Sequence, residues 1–303
     1  MDPQRKKIET RILNESSSDA QKVAKDLVGK IALIVTSPPY HNAISYTSHA
    51  VDPKVDYRTR SQSSYSLDYW PFLNQIWDSC WEMLKPGGIM AVNVGSVLES
   101  GYHFPLTLDV VTQLTKDAKW DYVSTVLWHK VTAGVKRAGS VIQHPYPGYW
   151  YSNIMTEHIV IVSKPGPRSE VNSDVPPEWL EPVWDLAPVP PRSVAHPAPY
   201  PEDLPHRLIL LFTQPDDWVM DPFNGAGATT KASFDLSRNS LGFDIEPQYV
   251  EVATQRLGQM TSVREKQLKM TVIEHKNFVP GKSQGKTRHG AGLASVKHNR
   301  DAE

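Results

Sequence analysis

The chain has 303 residues, of which 40% are hydrophobic, and its formal net charge is -1. This length and composition suit a globular protein with one large domain, and the near-neutral balance excludes a global positive field that would attract a polyanion. No segment approaches the ~20 apolar residues that span a bilayer, and the N-terminus has no apolar signal core, so we expect a cytoplasmic protein.

The single cysteine, Cys80, excludes an intrachain disulfide and a multi-cysteine metal site. It lies in the apolar stretch 76–81, which predicts a buried structural thiol. We therefore predict no metal site.

Strand-like and helical patterns alternate along the chain. Strands are predicted at 8–13, 31–35, 89–94, 122–128, 158–163, 218–220 and 240–243. Helices are predicted at 67–84, 105–114, 202–212, 227–236 and 248–257. The alternation favours an α/β fold in which a doubly wound, mostly parallel sheet is covered on both faces. Because no helical pattern separates 122–128 from 158–163, we expect these strands to form an antiparallel hairpin at one edge.

Three long segments interrupt the alternation, and the last part of the chain differs in composition. Residues 41–66 form a polar loop, whereas 130–153 and 164–199 are irregular, the second of them rich in proline. Loops of such length inside a compact domain are usually functional. From 263 to 303 the chain has nine Lys/Arg against four Asp/Glu, which predicts a basic, flexible tail.

The first candidate for chemistry is the turn after the strand at 31–35. It reads Thr36-Ser37-Pro38-Pro39-Tyr40. Two consecutive prolines supply no backbone N–H, so Ser37 and the neighbouring carbonyls present hydrogen-bond acceptors beside the ring of Tyr40. Acceptors next to an aromatic plane suit the amino group of a nucleobase. Taken alone, the two prolines could simply end a buried strand.

A second turn follows the strand at 218–220. It contains Asp221-Pro222-Phe223, then Gly225 and Gly227, at the start of a predicted helix. Glycines allow a sharp reversal and close ligand approach, and a helix N-terminus presents free N–H groups. The next strand ends at Asp244, whose carboxylate can accept both hydroxyls of a ribose, with Glu246 as the alternative. On its own, a Gly-x-Gly turn is more often a packing turn.

The details of this second turn narrow the class of ligand. Lys231 follows Thr229-Thr230 instead of preceding them, which is not the order of a phosphate-binding loop. Thr230 stands where a dinucleotide-binding fingerprint has its third glycine. A mononucleoside-like cofactor therefore fits better than a nucleoside triphosphate or a dinucleotide.

With both turns, the chain resembles the amino-directed DNA methyltransferases that use S-adenosylmethionine. Their cofactor turn reads Asp-Pro-Phe-x-Gly-x-Gly-Thr-Thr, with Ala228 here in place of the first Thr, and their catalytic turn reads Ser/Asn/Asp-Pro-Pro-Tyr/Phe. The segment from His196-Pro197 to Tyr200 resembles their His-Pro-x-x-Phe element, with Tyr for Phe. The catalytic motif precedes the cofactor motif, as in the permuted beta group of these enzymes.

The resemblance implies a seven-stranded, Rossmann-like methyltransferase sheet with an antiparallel edge hairpin and a small recognition insertion. The catalytic domain would span 1–262 and the tail 263–303. Within the domain, 41–66 would face DNA, 130–199 would contain a hairpin strand and the target-recognition segment, and 196–262 would be the cofactor-binding half. The residues implied to bind S-adenosylmethionine are Asp221, Pro222, Phe223, Gly225, Gly227, Thr229, Asp244, His196, Pro197 and, at the adenine edge, Asn14.

The resemblance also implies a catalytic site and a DNA partner. The catalytic residues are Ser37, Pro38, Pro39 and Tyr40. Ser37 and the Pro38 carbonyl would accept hydrogen bonds from the target amine, while Tyr40 stacks on a base flipped out of double-stranded DNA. The residues expected to contact DNA are Arg58, Arg60, Lys130, Lys136 and Arg137. We expect a monomer or homodimer, with a companion restriction endonuclease acting on the same site.

The identity of Ser37 favours one target base. Ser before Pro-Pro-Tyr resembles the enzymes that modify N4 of cytosine, whereas Asp is more usual in those that modify N6 of adenine. N6-adenine methylation is the first alternative, and methyl transfer to RNA or to a protein glutamine is another. A noncatalytic nucleic-acid-binding module with the same fold is the alternative from a different class.

Overall fold

The computed structural model of the protein describes residues 8–39, 69–99, 102–131, 154–168, 174–190, 193, 199–264 and 268–273. The strands in these ranges are β1 Ile8–Leu13, β2 Ile31–Thr36, β3 Leu84–Gly95, β4 Val97–Glu99, β5 Tyr102–Phe104, β6 Asp121–Lys130, β7 Thr156–Ser163, β8 Val183–Leu186, β9 Trp218–Asp221, β10 Asn239–Phe243 and β11 Leu268–Ile273. The α-helices there are α1 Ala20–Val23, α2 Trp70–Met83, α3 Leu106–Thr115, α4 Asp203–Phe212, α5 Ala228–Asp235 and α6 Pro247–Arg264.

Nine of the described strands form one sheet in the order β11-β1-β10-β9-β2-β3-β7-β6-β8, and β4 pairs with β5 separately. Within this sheet β7 runs antiparallel to both of its neighbours, β3 and β6. All the other neighbouring strands are parallel. The predicted α/β fold with a mostly parallel sheet is confirmed, and so is the antiparallel pairing of β6 with β7.

Two strands of this sheet, β8 and β11, were not predicted, so the described sheet has nine strands and the expected number of seven is wrong. β8 pairs in parallel with the outer side of β6, which means that the hairpin is not the edge of the sheet. β11 pairs with all six residues of β1 and lies inside the segment predicted to be a flexible tail. Both strands add to an edge that would otherwise expose unpaired backbone N–H and C=O groups.

Helices cover both faces of the sheet. On one face, Ile76 of α2 and Val110 of α3 belong to a hydrophobic cluster with Ile34 of β2. On the other face, Leu208 of α4 belongs to a second cluster with Val35, the next residue of β2. A strand buried on both faces explains the continuous apolar run in the sequence. No helix within the described ranges is both long and apolar enough to cross a membrane.

The predicted helices are present within the described residues, with ends shifted by a few positions and α6 continuing beyond 257. α2 ends at Met83, and the predicted stop signal at 85–88 lies at the start of β3. Gly87 there has a φ of +76°, and a Cβ at this position would lie 2.0 Å from the carbonyl oxygen of Pro167. Glycine is therefore required at this position near the start of β3, where the backbone of Pro167 lies close by.

The order of the strands reverses between β2 and β9. From β2 the chain continues to β3 on one side, and from β9 it continues to β10 on the other. β2 and β9 are parallel neighbours, with Ile34 beside Met220, so the turns that follow them open at the same edge of the sheet. In open parallel sheets, ligands bind at such a reversal, outside the carboxyl ends of the strands.

Candidate active site

The first turn is held in place by the helix that follows it in the described chain. β2 is buried along its whole length and ends at Thr36, and Pro38 is buried while Ser37 and Pro39 are half-buried. The hydroxyl of Tyr69 donates a hydrogen bond of 2.9 Å to the Pro39 carbonyl, and the Tyr69 side chain is itself buried. Tyr69 precedes α2 and was not predicted as a site residue, because no motif connects it to the turn.

The second turn has the backbone shape that its glycines predict. Gly225 and Gly227 have positive φ angles of +48° and +78°, and α5 begins directly after Gly227. A Cβ on Gly227 would lie 2.8 Å from the Cβ of Ala253 in α6. Pro222 is buried, and the ring of Phe223 packs against Phe72 of α2 with centroids 6.1 Å apart. The turn is thus a rigid frame that presents the N-terminus of α5 at the open edge.

The carboxylate of Asp221 joins the two turns. Oδ1 accepts hydrogen bonds from Thr36 Oγ1 at 3.0 Å and from the backbone N–H of Phe223 at 3.0 Å. Oδ2 accepts from Thr229 Oγ1 at 2.7 Å and from the hydroxyl of Tyr200 at 2.9 Å. Asp221 is fully buried, and this burial raises the pKa of its carboxyl while the four hydrogen bonds favour the charged form.

This network changes the role of two residues predicted to bind the cofactor and includes a third residue, Tyr200. The structure places the side chains of Asp221 and Thr229 in hydrogen bonds to the protein, so we interpret them as the frame of the cofactor turn. Tyr200, which stands where the resembled element has Phe, uses its hydroxyl in the same network and contacts the Thr229 hydroxyl as well. Tyr200 is half-buried, and desolvation raises the pKa of its hydroxyl well above the ordinary value.

Asp244 lies beside the second turn, directly after β10. Its Oδ2 accepts a hydrogen bond of 2.8 Å from the backbone N–H of Gly225, and its Oδ1 accepts one of 2.9 Å from that of Glu246. Burial raises the pKa of Asp244 to about 6. Burial, with a contribution from the Asp244 charge, raises the pKa of Glu246 to about 7. Asn14 follows β1 and donates from Nδ2 to the Asp244 carbonyl oxygen at 3.0 Å, so it lies next to the predicted ribose site.

The model of the DNA methylase family N6_N4_Mtase matches residues 31–255, which include both turns and the elements between them. This chain belongs to that family. A relative, the type II methyltransferase M.MthZI of Methanothermobacter thermautotrophicus, is 26% identical over 302 residues, which cover 90% of this chain and 83% of the relative.

Two solved structures share the fold of this DNA methylase. TTHA0409 of Thermus thermophilus, described as a DNA modification methylase and complexed with S-adenosylmethionine, has a TM-score of 0.63 at 23% identity, covering 86% of this chain and 99% of its own. The PvuII DNA methyltransferase, described as cytosine-N4-specific, has a TM-score of 0.63 at 17% identity, covering 88% and 98%. These similarities confirm the methyltransferase fold.

The cofactor predicted for this DNA methylase is S-adenosylmethionine, and family membership confirms it. The residues of the second turn fit a nucleoside: glycines leave the backbone open, and the Asp244 carboxylate lies beside them. Asn224, in the same turn, is buried, and neither Nδ2 nor Oδ1 has a hydrogen-bond partner among the described residues. Polar groups without partners are rare in protein interiors and are consistent with a site that binds a ligand.

Other predicted site residues have different outcomes. Lys130, which was predicted to contact DNA, is 6% exposed and forms an ion pair with Glu157. Cys80 is fully buried in α2, as predicted, and burial raises the pKa of its thiol. The predicted site residues that lie outside the described residues are Tyr40, Arg58, Arg60, Lys136, Arg137, His196 and Pro197.

Proposed function

We propose that this DNA methylase transfers a methyl group to the exocyclic N4 amine of cytosine in a base flipped out of double-stranded DNA. The observation that carries the proposal is the Asp221 carboxylate, which hydrogen-bonds to Thr36 at the catalytic turn and to Thr229 at the cofactor turn. It holds the acceptor side and the donor side of the cleft in one frame. Bound S-adenosylmethionine supplies an electrophilic methyl group on a sulfonium.

Ser37 and the Pro38 carbonyl have the task of orienting the amine. The lone pair of a nucleobase amino group is delocalised into the ring, so the amine is a poor nucleophile. Hydrogen bonds from its two N–H groups to acceptors out of the ring plane favour a pyramidal nitrogen whose lone pair points away from the acceptors. Tyr69 fixes the Pro39 carbonyl and thereby the direction of the whole turn. Tyr40 provides the face on which the flipped base stacks.

No protein thiol takes part in this reaction. Methylation of carbon 5 of cytosine would need a reactive thiolate to add to carbon 6 of the ring, and Cys80 is fully buried in α2 with a raised thiol pKa. Transfer to the amine needs no covalent intermediate with the enzyme. Ser37 therefore acts as a hydrogen-bond acceptor for the substrate.

The choice of cytosine N4 rests on Ser37 in the first position of the turn. The PvuII enzyme, whose description is cytosine-N4-specific, has the same fold. The test is to incubate unmethylated duplex DNA with the protein and S-adenosylmethionine, digest it, and identify the methylated nucleoside by mass spectrometry. We expect N4-methylcytosine. N6-methyladenine alone would overturn the choice of base, and no methylated nucleoside would overturn the proposed activity.

We further propose that the enzyme recognises a specific DNA sequence within a restriction-modification system. The type II classification of M.MthZI supports this context. DNA contacts are assigned to Arg58 and Arg60, in the segment 41–66, and to Lys136 and Arg137, in the segment between β6 and β7. Long-read sequencing of DNA from cells that express the protein reports the modified base together with its flanking sequence. Methylation without a common flanking sequence would contradict site specificity.

A further inference from the structure

A buried charged cluster lies outside the two turns. Lys130 Nζ forms an ion pair with Glu157, and Asn93 Nδ2 donates a hydrogen bond of 2.6 Å to Glu157 Oε2. Lys130, Glu157 and Asn93 are 6%, 9% and 2% exposed, respectively. Lys130 Nζ also lies 5.3 Å from the centre of the Trp128 ring. These three residues, Lys130, Glu157 and Asn93, are called the Glu157 cluster below.

The Glu157 cluster bridges three neighbouring strands on one face of the sheet. Asn93 is on β3, Glu157 on β7 and Lys130 on β6. The residues two positions away on the same strands, Ala91, Ile159 and Trp128, belong to the hydrophobic cluster that includes α4. Because side chains alternate along a strand, the charged cluster lies on that same face.

The cluster is level with the catalytic turn. In the β2–β3 ladder, Thr36 is paired with Val92. Asn93 is therefore one step further toward the carboxyl edge of β3, and Ser37 is one step further on β2. Since β2 and β3 are parallel neighbours, the cluster and the catalytic turn lie at the same edge of the sheet.

The cluster also lies where the chain leaves the sheet between β6 and β7. The backbone N–H of Lys130 donates to the Met155 carbonyl at 2.9 Å, and that of Val131 donates to the Leu186 carbonyl of β8 at 3.2 Å. The segment 132–153, to which we assign DNA contacts, thus starts and ends beside Lys130 and Glu157. The Glu157 cluster connects the base of this segment to the strand that neighbours the catalytic turn.

Stability alone does not explain a buried ion pair at this place. Removing each charge from water costs several kcal/mol, and well-packed apolar residues of similar volume are often as stable or more so. The neighbouring positions on this face, Ala91, Ile159 and Trp128, are apolar and buried, so apolar side chains would have packed here as well. Unlike apolar contacts, an ion pair with a hydrogen-bonded amide depends on direction and fixes the position of each strand relative to the next.

We propose that the Glu157 cluster is a positioning element for the target base. It fixes the strands that carry the DNA-facing segment relative to β3 and the catalytic turn, and so sets where the flipped base arrives. Its members act through the backbone they hold. This inference rests on the proposed function, because it assigns the segment 132–153 to DNA.

The test replaces the ion pair by apolar residues of similar size in the double variant Lys130→Met, Glu157→Leu. We expect the double variant to melt within about 3 °C of the wild type, since an apolar pair offsets the lost interaction. We expect S-adenosylmethionine to bind with a Kd within about twofold of the wild type. On duplex DNA, kcat should fall about 100-fold, because small displacements of a reacting group cost this much.

The matched control is an exposed pair beside the cluster, formed by His129 of β6 and Asp185 of β8. His129 Nδ1 lies 2.8 Å from Asp185 Oδ1, and both side chains are exposed. The variant His129→Gln, Asp185→Asn removes this pair. We expect its Tm to lie within about 3 °C of the wild-type value, and its Kd for S-adenosylmethionine and its kcat to lie within about twofold of the wild-type values. A second cluster variant, Asn93→Ala, leaves the ion pair in place, removes the hydrogen bond that ties it to β3, and covers the case in which the double variant does not fold. We expect it to lower kcat about tenfold with unchanged cofactor affinity.

The outcomes are distinct. A folded double variant, or failing that a folded Asn93→Ala variant, with wild-type kcat and KM for DNA would overturn the positioning role. A loss of cofactor affinity as large as the loss of activity would also overturn it, because the cluster would then act on the whole fold. If the wild-type protein methylates no DNA, the proposed function fails first, and the inference fails with it.

Discussion

Asp221 is the residue on which the geometry of the cleft depends. A fully buried carboxylate is costly unless its charge is compensated by hydrogen bonds, and Asp221 accepts four. The donors come from different parts of the chain: Thr36 from the catalytic turn, Tyr200 from the segment before α4, and Phe223 and Thr229 from the cofactor turn. The carboxylate thus fixes the position of the turn after β2 relative to the turn after β9.

The Thr36→Val variant tests this coupling. Valine has nearly the same volume and keeps β2 buried, but it removes the hydrogen bond to Asp221 Oδ1. We expect kcat to fall about tenfold or more because the catalytic turn is no longer fixed to the cofactor turn. The Kd for S-adenosylmethionine, measured by calorimetry, should change less than about threefold, since Asp221 keeps its other donors.

Tyr200→Phe is the matched control, because it also removes one hydrogen bond to Asp221. The lost bond does not lead to the catalytic turn. We expect a loss of about 1 kcal/mol in the free energy of unfolding and a smaller change in kcat than in Thr36→Val. Equal effects of the two variants on kcat would show that the carboxylate matters only for stability.

Asp244 and Glu246 form an acidic pair with raised pKa values of about 6 and about 7. A carboxyl that binds ribose hydroxyls as an acceptor must be ionised. Below pH 6 Asp244 is mostly protonated, so we expect cofactor affinity to rise about tenfold between pH 5 and pH 7. Calorimetric titration of S-adenosylmethionine at several pH values measures this change.

The contribution of Asp244 to the stability of the fold changes with pH in the opposite direction to cofactor affinity. The pKa of Asp244 is raised from its ordinary value of 3.8, so the folded state holds its proton more tightly than the unfolded state. Its contribution to stability therefore decreases as pH rises from about 4 to about 6. In Asp244→Asn, we expect weak cofactor binding without the step near pH 6. Persistence of the step in this variant would assign it to Glu246 or to another group.

At the scale of elements, the strands that are buried on both faces could be predicted from the sequence, and the strands at the edges of the sheet could not. β2 and the centre of β3 are buried on both faces and read as apolar runs, and the two turns after β2 and β9 have distinctive residues. β8 and β11 were missed because each pairs at an edge that only the folded sheet provides. The contacts of Tyr69 and Lys130 were missed for a similar reason: their partners are remote in sequence.

The pairing of β11 with β1 predicts how far the chain must extend at its C-terminal end for full stability. All six residues of β11 pair with β1, which is followed by Asn14 next to Asp244. A chain that ends after Arg264 lacks β11, and we expect its Tm to fall by about 5 °C and its Kd for S-adenosylmethionine to rise. A chain that ends after Ile273 keeps β11 and should match the full-length protein in both measurements. Identical Tm values for the two truncated chains would show that β11 adds no stability.

At the scale of the whole molecule, charge is distributed unevenly. The chain has a net charge of only -1, yet residues 274–303 contain six Lys/Arg against three Asp/Glu. DNA affinity that depends on phosphate contacts falls with salt, with a slope of about 0.9 per neutralised phosphate in a plot of log Kd against log salt concentration. An enzyme without a global positive field must therefore obtain this term from local segments.

Residues 274–303 are one such segment, and their contribution can be measured. We expect a chain that ends after Ile273 to bind duplex DNA with a salt slope smaller by about 1 to 2 than that of the full-length protein. A full-length variant with Lys282→Gln, Lys286→Gln and Arg288→Gln keeps the length of the chain and should show part of the same decrease. Cofactor affinity at low salt serves as the internal control. An unchanged slope in both proteins would mean that these residues make no phosphate contacts and that the segments near the cleft supply the charge.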